Sequence, residues 1–189
     1  RRIERGTEIH EAIGVGGSSY EFIKILCEFT SPKKAILITP GAQNYEKLLS
    51  MNGCEIIYYS TPEEEDFTLD IADFISKLSE DIDIIFISNP NGTTSQIIDA
   101  ESLEFIAKIC NGNNITMVVD EEYMDFADDL ESNSAIPLTS EYENVIVLRN
   151  TTKFFAVPGL SSGFVVWTET FIGDRCILII RSMSLSLRF

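Results

Sequence analysis

Residues 145–164 read V-I-V-L-R-N-T-T-K-F-F-A-V-P-G-L-S-S-G-F. An apolar, β-branched run at 145–148 comes first, and a polar turn with a single lysine, Lys153, follows it. Two phenylalanines and a Pro-Gly pair then lead into a second apolar run at 164–167. This pattern predicts two strands joined by a loop, with Lys153 in the loop at the mouth of a sheet.

Lys153 by itself allows two interpretations. Phe154 and Phe155 follow it, and partial desolvation beside two aromatic rings lowers the pKa of an amine and frees it to attack a carbonyl carbon. A surface lysine whose stem covers two core phenylalanines is the more common arrangement of such residues. The other motifs of the chain therefore have to decide between the two.

Strand and helix patterns alternate upstream of this stretch. Residues 1–13 show no clear period, so we expect a helical or irregular lead-in, and the acidic run 63–66 is typical of a solvated surface turn. Short buried strands separated by amphipathic helices predict an α/β fold, a three-layer sandwich with a mainly parallel sheet flanked by helices. In chain order the predicted elements are strand 35–39, helix 44–50, strand 55–59, helix 69–78, strand 82–87, helix 100–110 and strand 115–119.

Composition limits the classes of partner. With 189 residues, 44% of them hydrophobic, the chain can form one well-buried domain. Its 30 acidic and 14 basic residues give a net charge of −16, which disfavours nucleic acids and anionic membranes as partners, and no apolar run is long enough to span a membrane. The four cysteines, Cys27, Cys54, Cys110 and Cys176, show no C-x-x-C spacing and have only His10 as an imidazole partner. We therefore expect no metal site, no disulfides and a reducing cytoplasm.

A glycine-rich segment, G-V-G-G-S-S-Y-E from Gly14, precedes apolar residues at helical spacing. It predicts a turn that opens a helix with Ser18 or Ser19 as the N-cap. Free backbone N–H groups at the positive end of the helix dipole can bind a phosphate, although a plain helix cap needs no ligand. As a dinucleotide-binding fingerprint the segment is weak, because no strand pattern precedes it and no P-loop lysine follows.

Two of the predicted strands end in polar motifs, S-N-P-N-G-T-T-S from Ser88 and D-E-E-Y from Asp120. Because functional loops of a parallel sheet collect beyond the carboxyl ends of its strands, we expect Asn89, Asp120 and Lys153 at one edge. Each motif also has a plainer explanation: Asp120 as a helix cap, Tyr123 as a core aromatic and Asn89 as a turn former.

The order of these motifs resembles a known family. A Gly/Ser turn opening a helix, N-P-N, D-E-x-Y and T-K-F-F-A-x-P-G-L resemble the fold-type I pyridoxal-phosphate enzymes, the class I/II aminotransferases. Within them the chain looks most like the branch of histidinol-phosphate aminotransferase and threonine-phosphate decarboxylase. The resemblance covers roughly residues 13–167. It implies pyridoxal 5'-phosphate as cofactor, a homodimer, and transamination or decarboxylation of a small amino substrate, with a phosphate-bearing one suggested by this branch.

The resemblance also implies roles for single residues. Lys153 would hold the cofactor as a Schiff base and move the proton, and Asp120 would pair with the pyridine nitrogen. Tyr123 would hydrogen-bond the phenolic oxygen. The remaining residues expected at the cofactor are Ser18 and Ser19 at its phosphate, Asn150 and Thr152 near the lysine, and Asn89.

Several positions depart from the family pattern. Ser161 stands where an arginine usually grips the phosphate, Gly92 where an asparagine supports the phenolic oxygen, and Ala42 at or near a stacking aromatic. We expect residues 1–189 to form a single α/β cofactor-binding domain, a fragment without the N-terminal arm and the C-terminal small domain of the family. A catalytically impaired or inactive truncated remnant, which keeps only the fold or the dimerisation surface, is therefore the alternative hypothesis.

Overall fold

A mixed sheet with helices on both faces forms the centre of the molecule. The computed structural model describes residues 2–4, 7–9, 11–41, 43–156 and 162–168. Its elements are β1 (Arg2–Glu4), β2 (Thr7–Ile9), β3 (Glu11–Gly16), α1 (Ser19–Thr30), β4 (Lys34–Thr39), α2 (Gln43–Met51), β5 (Glu55–Ser60), α3 (Ile71–Ser76), β6 (Ile84–Ser88), α4 (Ala100–Gly112), β7 (Thr116–Asp120), α5 (Leu130–Asn133), β8 (Val145–Asn150) and β9 (Gly163–Thr168). Short 3-10 helices span Glu63–Glu65, Met124–Phe126 and Ile136–Ser140.

The large sheet has seven strands in the order β3-β9-β8-β7-β6-β4-β5. The five strands from β8 to β5 run parallel, whereas β9 is antiparallel to both β8 and β3. All six residues of β8 are buried, as expected for a strand covered on both faces. Because five of the seven strands are parallel, the prediction of a mainly parallel sheet is confirmed. The strands β1 and β2 form a separate antiparallel pair.

Two hydrophobic cores cover the two faces of the sheet. On one face, residues of α1 and α2 pack against alternate strand residues such as Phe86 and Val118. On the other, Phe74 of α3 and residues of α4 pack against the intervening strand residues, such as Ile85 and Val119. Since side chains of a strand alternate between faces, both layers are anchored to the same strands, and the predicted three-layer arrangement is observed.

The expectation of a helical or irregular lead-in at residues 1–13 was wrong, because β1, β2 and the first part of β3 lie there. Strand β3 pairs with β9 along its whole length, so a strand does precede the Gly/Ser turn, and Gly14 and Gly16 belong to the strand. Among the four β3 residues whose burial is described, 13–16, the buried positions are the glycines, whereas Ile13 and Val15 are 65% and 55% exposed. An edge strand whose inward positions are glycines lacks the apolar alternation by which strands are predicted.

Candidate active site

The N-terminus of α1 lies at the carboxyl edge of the sheet. Ser18 is its N-cap, with Oγ accepting the Glu21 N–H at 3.3 Å, while Glu21 Oε2 accepts the Gly17 N–H at 3.0 Å. This reciprocal arrangement resembles a capping box and explains why the helix begins here. Ser19 Oγ is buried and has no hydrogen-bond partner in the described part of the chain. A buried hydroxyl without a partner beside a helix N-terminus is suited to an anionic ligand.

A cavity of about 90 Å³ opens beside this helix end. It brings together four of the residues predicted from the sequence, and it adds Tyr45 and Glu122, to which the sequence analysis assigned no role. The lining residues are Ser18, Ser19, Tyr20, Ile23, Tyr45, Asp120, Glu122 and Asn150.

Asp120 lies at the end of β7 and is 6% exposed. Its Oδ2 accepts the Tyr45 hydroxyl at 2.7 Å, and its Oδ1 accepts the Glu122 N–H at 3.1 Å. Burial raises the pKa of the Asp120 carboxyl to about 6, with the Tyr45 hydrogen bond opposing this rise and the negative charge of Glu122 adding to it. Asp120 is therefore mostly ionised at neutral pH and available to pair with a cation in the cavity.

Lys153 follows β8 and points toward the D-E-E-Y motif. Its Nζ donates a hydrogen bond to the Tyr123 hydroxyl, lies 4.4 Å from the centroid of the Tyr123 ring and 3.4 Å from Glu122 Oε2. The lysine, tyrosine and glutamate thus form one polar cluster at the rim of the cavity.

Of the two interpretations of Lys153, the one with a lowered pKa is contradicted. Partial burial does lower the pKa of the amine, but the hydrogen bond to Tyr123 and the negative charge of Glu122 outweigh it, so the pKa is raised above its ordinary value. Phe154 and Phe155 are 47% and 65% exposed. These rings do not enclose the amine, because they project outward from the loop.

Asn150 and Thr152 fix the loop that carries the lysine. Asn150 Nδ2 donates to Glu122 Oε1 at 3.1 Å, and its Oδ1 accepts the Thr152 N–H at 2.9 Å. Thr152 Oγ1 accepts the Ser162 N–H at 3.2 Å, which joins the loop to the start of β9. Asn150 lines the cavity and Thr152 lies beside it, so a cofactor role stays a prediction for both.

Asn89 does not line the cavity, although its backbone N–H donates to the carbonyl of Asp120 at 2.9 Å. It is fully buried, its Nδ2 donates to the carbonyls of Ile98 and Asn133 at 3.0 and 3.1 Å, and its Oδ1 accepts the Ile98 N–H at 2.8 Å. Because both polar atoms of its amide are bound to backbone groups, this geometry matches the plainer turn-forming explanation and does not support cofactor binding.

Gly92 has a structural reason to be glycine. A Cβ atom at this position would lie 2.4 Å from Cε2 of Tyr123, so any side chain would displace the tyrosine ring. The close approach of the Tyr123 ring therefore explains why glycine stands at position 92, where the family usually has asparagine. The departures at Ala42 and Ser161 lie outside the described residues.

A buried ion pair connects the strands beneath the site. Arg149 Nε contacts Glu121 Oε2 at 2.7 Å, and its two Nη atoms contact Asp125 and Ser134 at 3.2 Å. Glu121 directly follows Asp120, and Arg149 directly precedes Asn150. The pair therefore keeps the ends of β7 and β8, and with them two walls of the cavity, in a common position.

Tyr45 and Glu122 were not predicted as site residues, for different reasons. Tyr45 precedes Leu48 and Leu49 at helical spacing, which is typical of a core residue, and its contact with Asp120 depends on the fold. Glu122 lies inside a motif that was already placed at the sheet edge, so its carboxylate was a signal that could have been used.

Among the described residues, no group of three or more His, Cys, Asp or Glu side chains could hold a metal ion. Within the same ranges, no helix combines the length and apolar character needed to cross a membrane. The described cysteines, Cys27, Cys54 and Cys110, are buried and free, and a cytoplasmic location stays a prediction.

Comparison with protein families agrees with the geometry of the site. The family described as aminotransferase class I and II matches residues 3–187. The chain belongs to this family. The predicted resemblance is confirmed, and membership in the class I and II aminotransferases supports pyridoxal phosphate as the cofactor.

Curated relatives of this class I and II aminotransferase chain include both enzymes of the expected branch. It is 32% identical over 162 residues to a putative threonine-phosphate decarboxylase from Caldanaerobacter subterraneus subsp. tengcongensis, covering 86% of this chain and 44% of that protein. It is 31% identical over 165 residues to histidinol-phosphate aminotransferase from Clostridium kluyveri, with 86% and 44% covered. The chain thus spans less than half the length of these relatives.

Solved structures of aminotransferases share the fold. Histidinol-phosphate aminotransferase from Clostridium acetobutylicum superimposes with a TM-score of 0.77 at 25% identity, covering 91% of this chain and 48% of that one. The aromatic aminotransferase from Pyrococcus horikoshii gives 0.77 at 23% identity, with 95% and 49% covered, and is similar in fold.

Proposed function

We propose that this chain is the cofactor-binding part of a pyridoxal-phosphate-dependent aminotransferase or amino-acid decarboxylase that acts through Lys153. One observation carries the proposal: the N-terminus of α1, the end of β7 and the loop after β8 bring an anion site, a carboxylate and an amine around one cavity. Pyridoxal phosphate has a phosphate, a basic ring nitrogen and an aldehyde. The groups present therefore fit the cofactor in number and kind.

When bound, the cofactor would supply an aldehyde and a ring that withdraws electrons from the substrate. Ser19 Oγ has unused hydrogen-bonding capacity at the positive end of α1, so it would hold the phosphate together with Ser18. Asp120 would hold the ring nitrogen as a cation, and Tyr45 fixes the orientation of that carboxylate. Lys153 would provide the attacking amine and later move a proton at the substrate α-carbon, while the Tyr123 hydroxyl holds Nζ in place.

The names of the relatives suggest the substrate class. Histidinol-phosphate aminotransferase and threonine-phosphate decarboxylase are named for substrates that carry a phosphate. We extend this class to the present chain and propose a phosphate-bearing amino substrate, with transamination and decarboxylation as the two reactions.

A homodimer belongs to the same proposal. Three exposed rings, Phe126, Phe154 and Phe155, contact one another edge-on beside the lysine loop, with centroids 5.5 and 5.2 Å apart. Contiguous exposed aromatic rings are typical of association surfaces, which supports contact with a second copy here.

The test is an absorbance titration of the purified chain with pyridoxal phosphate, beside Lys153→Ala and the control Lys77→Ala. Lys77 is also an exposed lysine in a salt bridge, at the end of α3. We expect a cofactor band near the visible edge in the wild type and in Lys77→Ala, and only the free-cofactor spectrum in Lys153→Ala. Equal spectra for the wild type and Lys153→Ala at every pH from 7 to 10 would contradict the proposal.

A catalytically impaired member of the family is the second candidate. Two observations favour it: the Glu122 carboxylate lies in the cavity, and Gly92 cannot supply a polar side chain next to Tyr123. For this candidate the same titration would give no protein-bound band at any pH, although the chain would still fold.

A further inference from the structure

Glu122 contacts two residues of the candidate site, Asn150 and Lys153, but has no role in the proposed function. Its side chain is 19% exposed and lines the cavity. One carboxylate oxygen accepts the Asn150 amide at 3.1 Å, and the other lies 3.4 Å from Lys153 Nζ. A single acidic side chain thus engages two of the groups expected to serve the cofactor.

The charges around Glu122 are unbalanced. Asp120 lies on the preceding strand and accepts the Glu122 N–H, Tyr45 approaches Asp120 from α2, and Tyr123 lies beside Lys153. Among the described residues that line the cavity or contact Glu122, Lys153 is the one cation. Two carboxylates therefore share one ammonium group, and a phosphate-bearing ligand would add further negative charge to the same space.

We propose that Glu122 is a built-in counter-ion that competes with the cofactor for Lys153, so that it weakens cofactor capture and shifts it to higher pH. The inference rests on the proposed function. Addition to the cofactor aldehyde would need the neutral amine: the ammonium would first give one proton to water. The nitrogen would then bond to the aldehyde carbon and lose its two remaining hydrogens to the aldehyde oxygen, which would leave as water. A carboxylate 3.4 Å from Nζ stabilises the ammonium and thereby opposes the first of these steps. The raised pKa of Lys153, to which Glu122 contributes, agrees with this.

The decisive variant is Glu122→Gln. Glutamine has nearly the same shape and can still accept the Asn150 amide, but it carries no charge. Titration with pyridoxal phosphate at pH 6.5 to 9.5 should show roughly two- to five-fold tighter binding near pH 7.5, and the midpoint of band formation should move to lower pH. The matched control is Glu28→Gln, since Glu28 also pairs with a lysine, Lys24, but on the exposed last turn of α1. It should change neither quantity.

A second measurement uses no cofactor. The rate of Lys153 acetylation by acetic anhydride, followed by peptide mass spectrometry against pH, reports the pKa of its amine. This pKa should be lower in Glu122→Gln than in the wild type and unchanged in Glu28→Gln.

The outcomes separate the two proposals. Cofactor binding that is equal or weaker in Glu122→Gln overturns the inference while leaving the proposed function standing. If neither protein binds pyridoxal phosphate, the proposed function fails, and the acetylation profile decides alone: a lower pKa supports the counter-ion role, and an unchanged one overturns it.

Discussion

Asp120 is buried at the end of β7, and its carboxylate keeps one hydroxyl and one backbone N–H as donors. These two donors are too few to offset the loss of water, so burial raises its pKa to about 6 from an ordinary value of 3.8. A raised carboxyl pKa means that the folded chain binds a proton more tightly than the unfolded chain does. Ionisation of Asp120 therefore costs stability in the absence of a ligand cation.

This predicts a pH dependence of stability. The contribution of Asp120 is present below about pH 4 and is lost as the pH rises to about 6, so this group by itself lowers the free energy of unfolding by about 2 to 3 kcal/mol between pH 4 and pH 8. Asp120→Asn should lack this component. Urea unfolding of both proteins from pH 4 to pH 8 measures it, and parallel stability profiles would show that Asp120 does not titrate as described.

The N-terminus of α1 carries two neighbouring serines, Ser18 and Ser19, with different roles. Ser18 Oγ caps the helix, whereas Ser19 Oγ is buried without a partner among the described residues. The cap is needed for the helix whether or not a ligand is present. The second hydroxyl has no such use within the helix and is free to bind a ligand.

Alanine substitutions of Ser18 and Ser19 should distinguish the helix-capping role from the ligand-binding role. Ser18→Ala should lower the free energy of unfolding by about 1 kcal/mol because the cap is lost. Ser19→Ala should leave it unchanged or slightly raised because a buried hydroxyl without a partner is removed. Both should weaken pyridoxal phosphate binding. The measurements are urea unfolding without cofactor and the absorbance titration.

Asp99→Ala is the control for the cap, since Asp99 caps α4 by accepting the Ser102 N–H at 2.8 Å and does not line the cavity. It should lose a similar free energy of unfolding and keep its cofactor affinity. If Ser19→Ala binds the cofactor as well as the wild type does, the phosphate is not held at this helix end.

The net charge of the molecule opposes the association of two copies. Each copy carries a net charge of −16, so two copies repel each other until salt screens the repulsion. The exposed rings of Phe126, Phe154 and Phe155 favour contact by burying apolar surface.

The proposed homodimer should therefore strengthen with salt. We expect the dimer dissociation constant to fall several-fold between about 0.05 and 0.5 M NaCl, where the Debye length drops to well under 10 Å. Sedimentation velocity over a concentration series measures it, with Phe155→Ser expected to weaken the dimer at both salt concentrations. A monomer under all conditions would refute the homodimer.

Elements whose signals are local could be predicted from the amino-acid sequence alone. The apolar runs predicted β6, β7 and β8, and the Ser/Gly turn predicted the cap of α1, because strand burial and capping depend on residues close together in the chain. The shared edge of Asp120 and Lys153 followed from parallel strands. β3 was not predicted as a strand because the buried positions among its described residues 13–16 are glycines.

The chemistry of the site depends on contacts between segments that lie far apart in the chain. The Tyr45–Asp120 hydrogen bond joins residues 75 positions apart, and Glu122 meets Lys153 across two strand ends. A pKa depends on burial and on charges a few ångströms away, which side chains from distant segments supply. For that reason the sequence predicted a lysine at the sheet edge correctly but could not decide the direction in which its pKa is shifted.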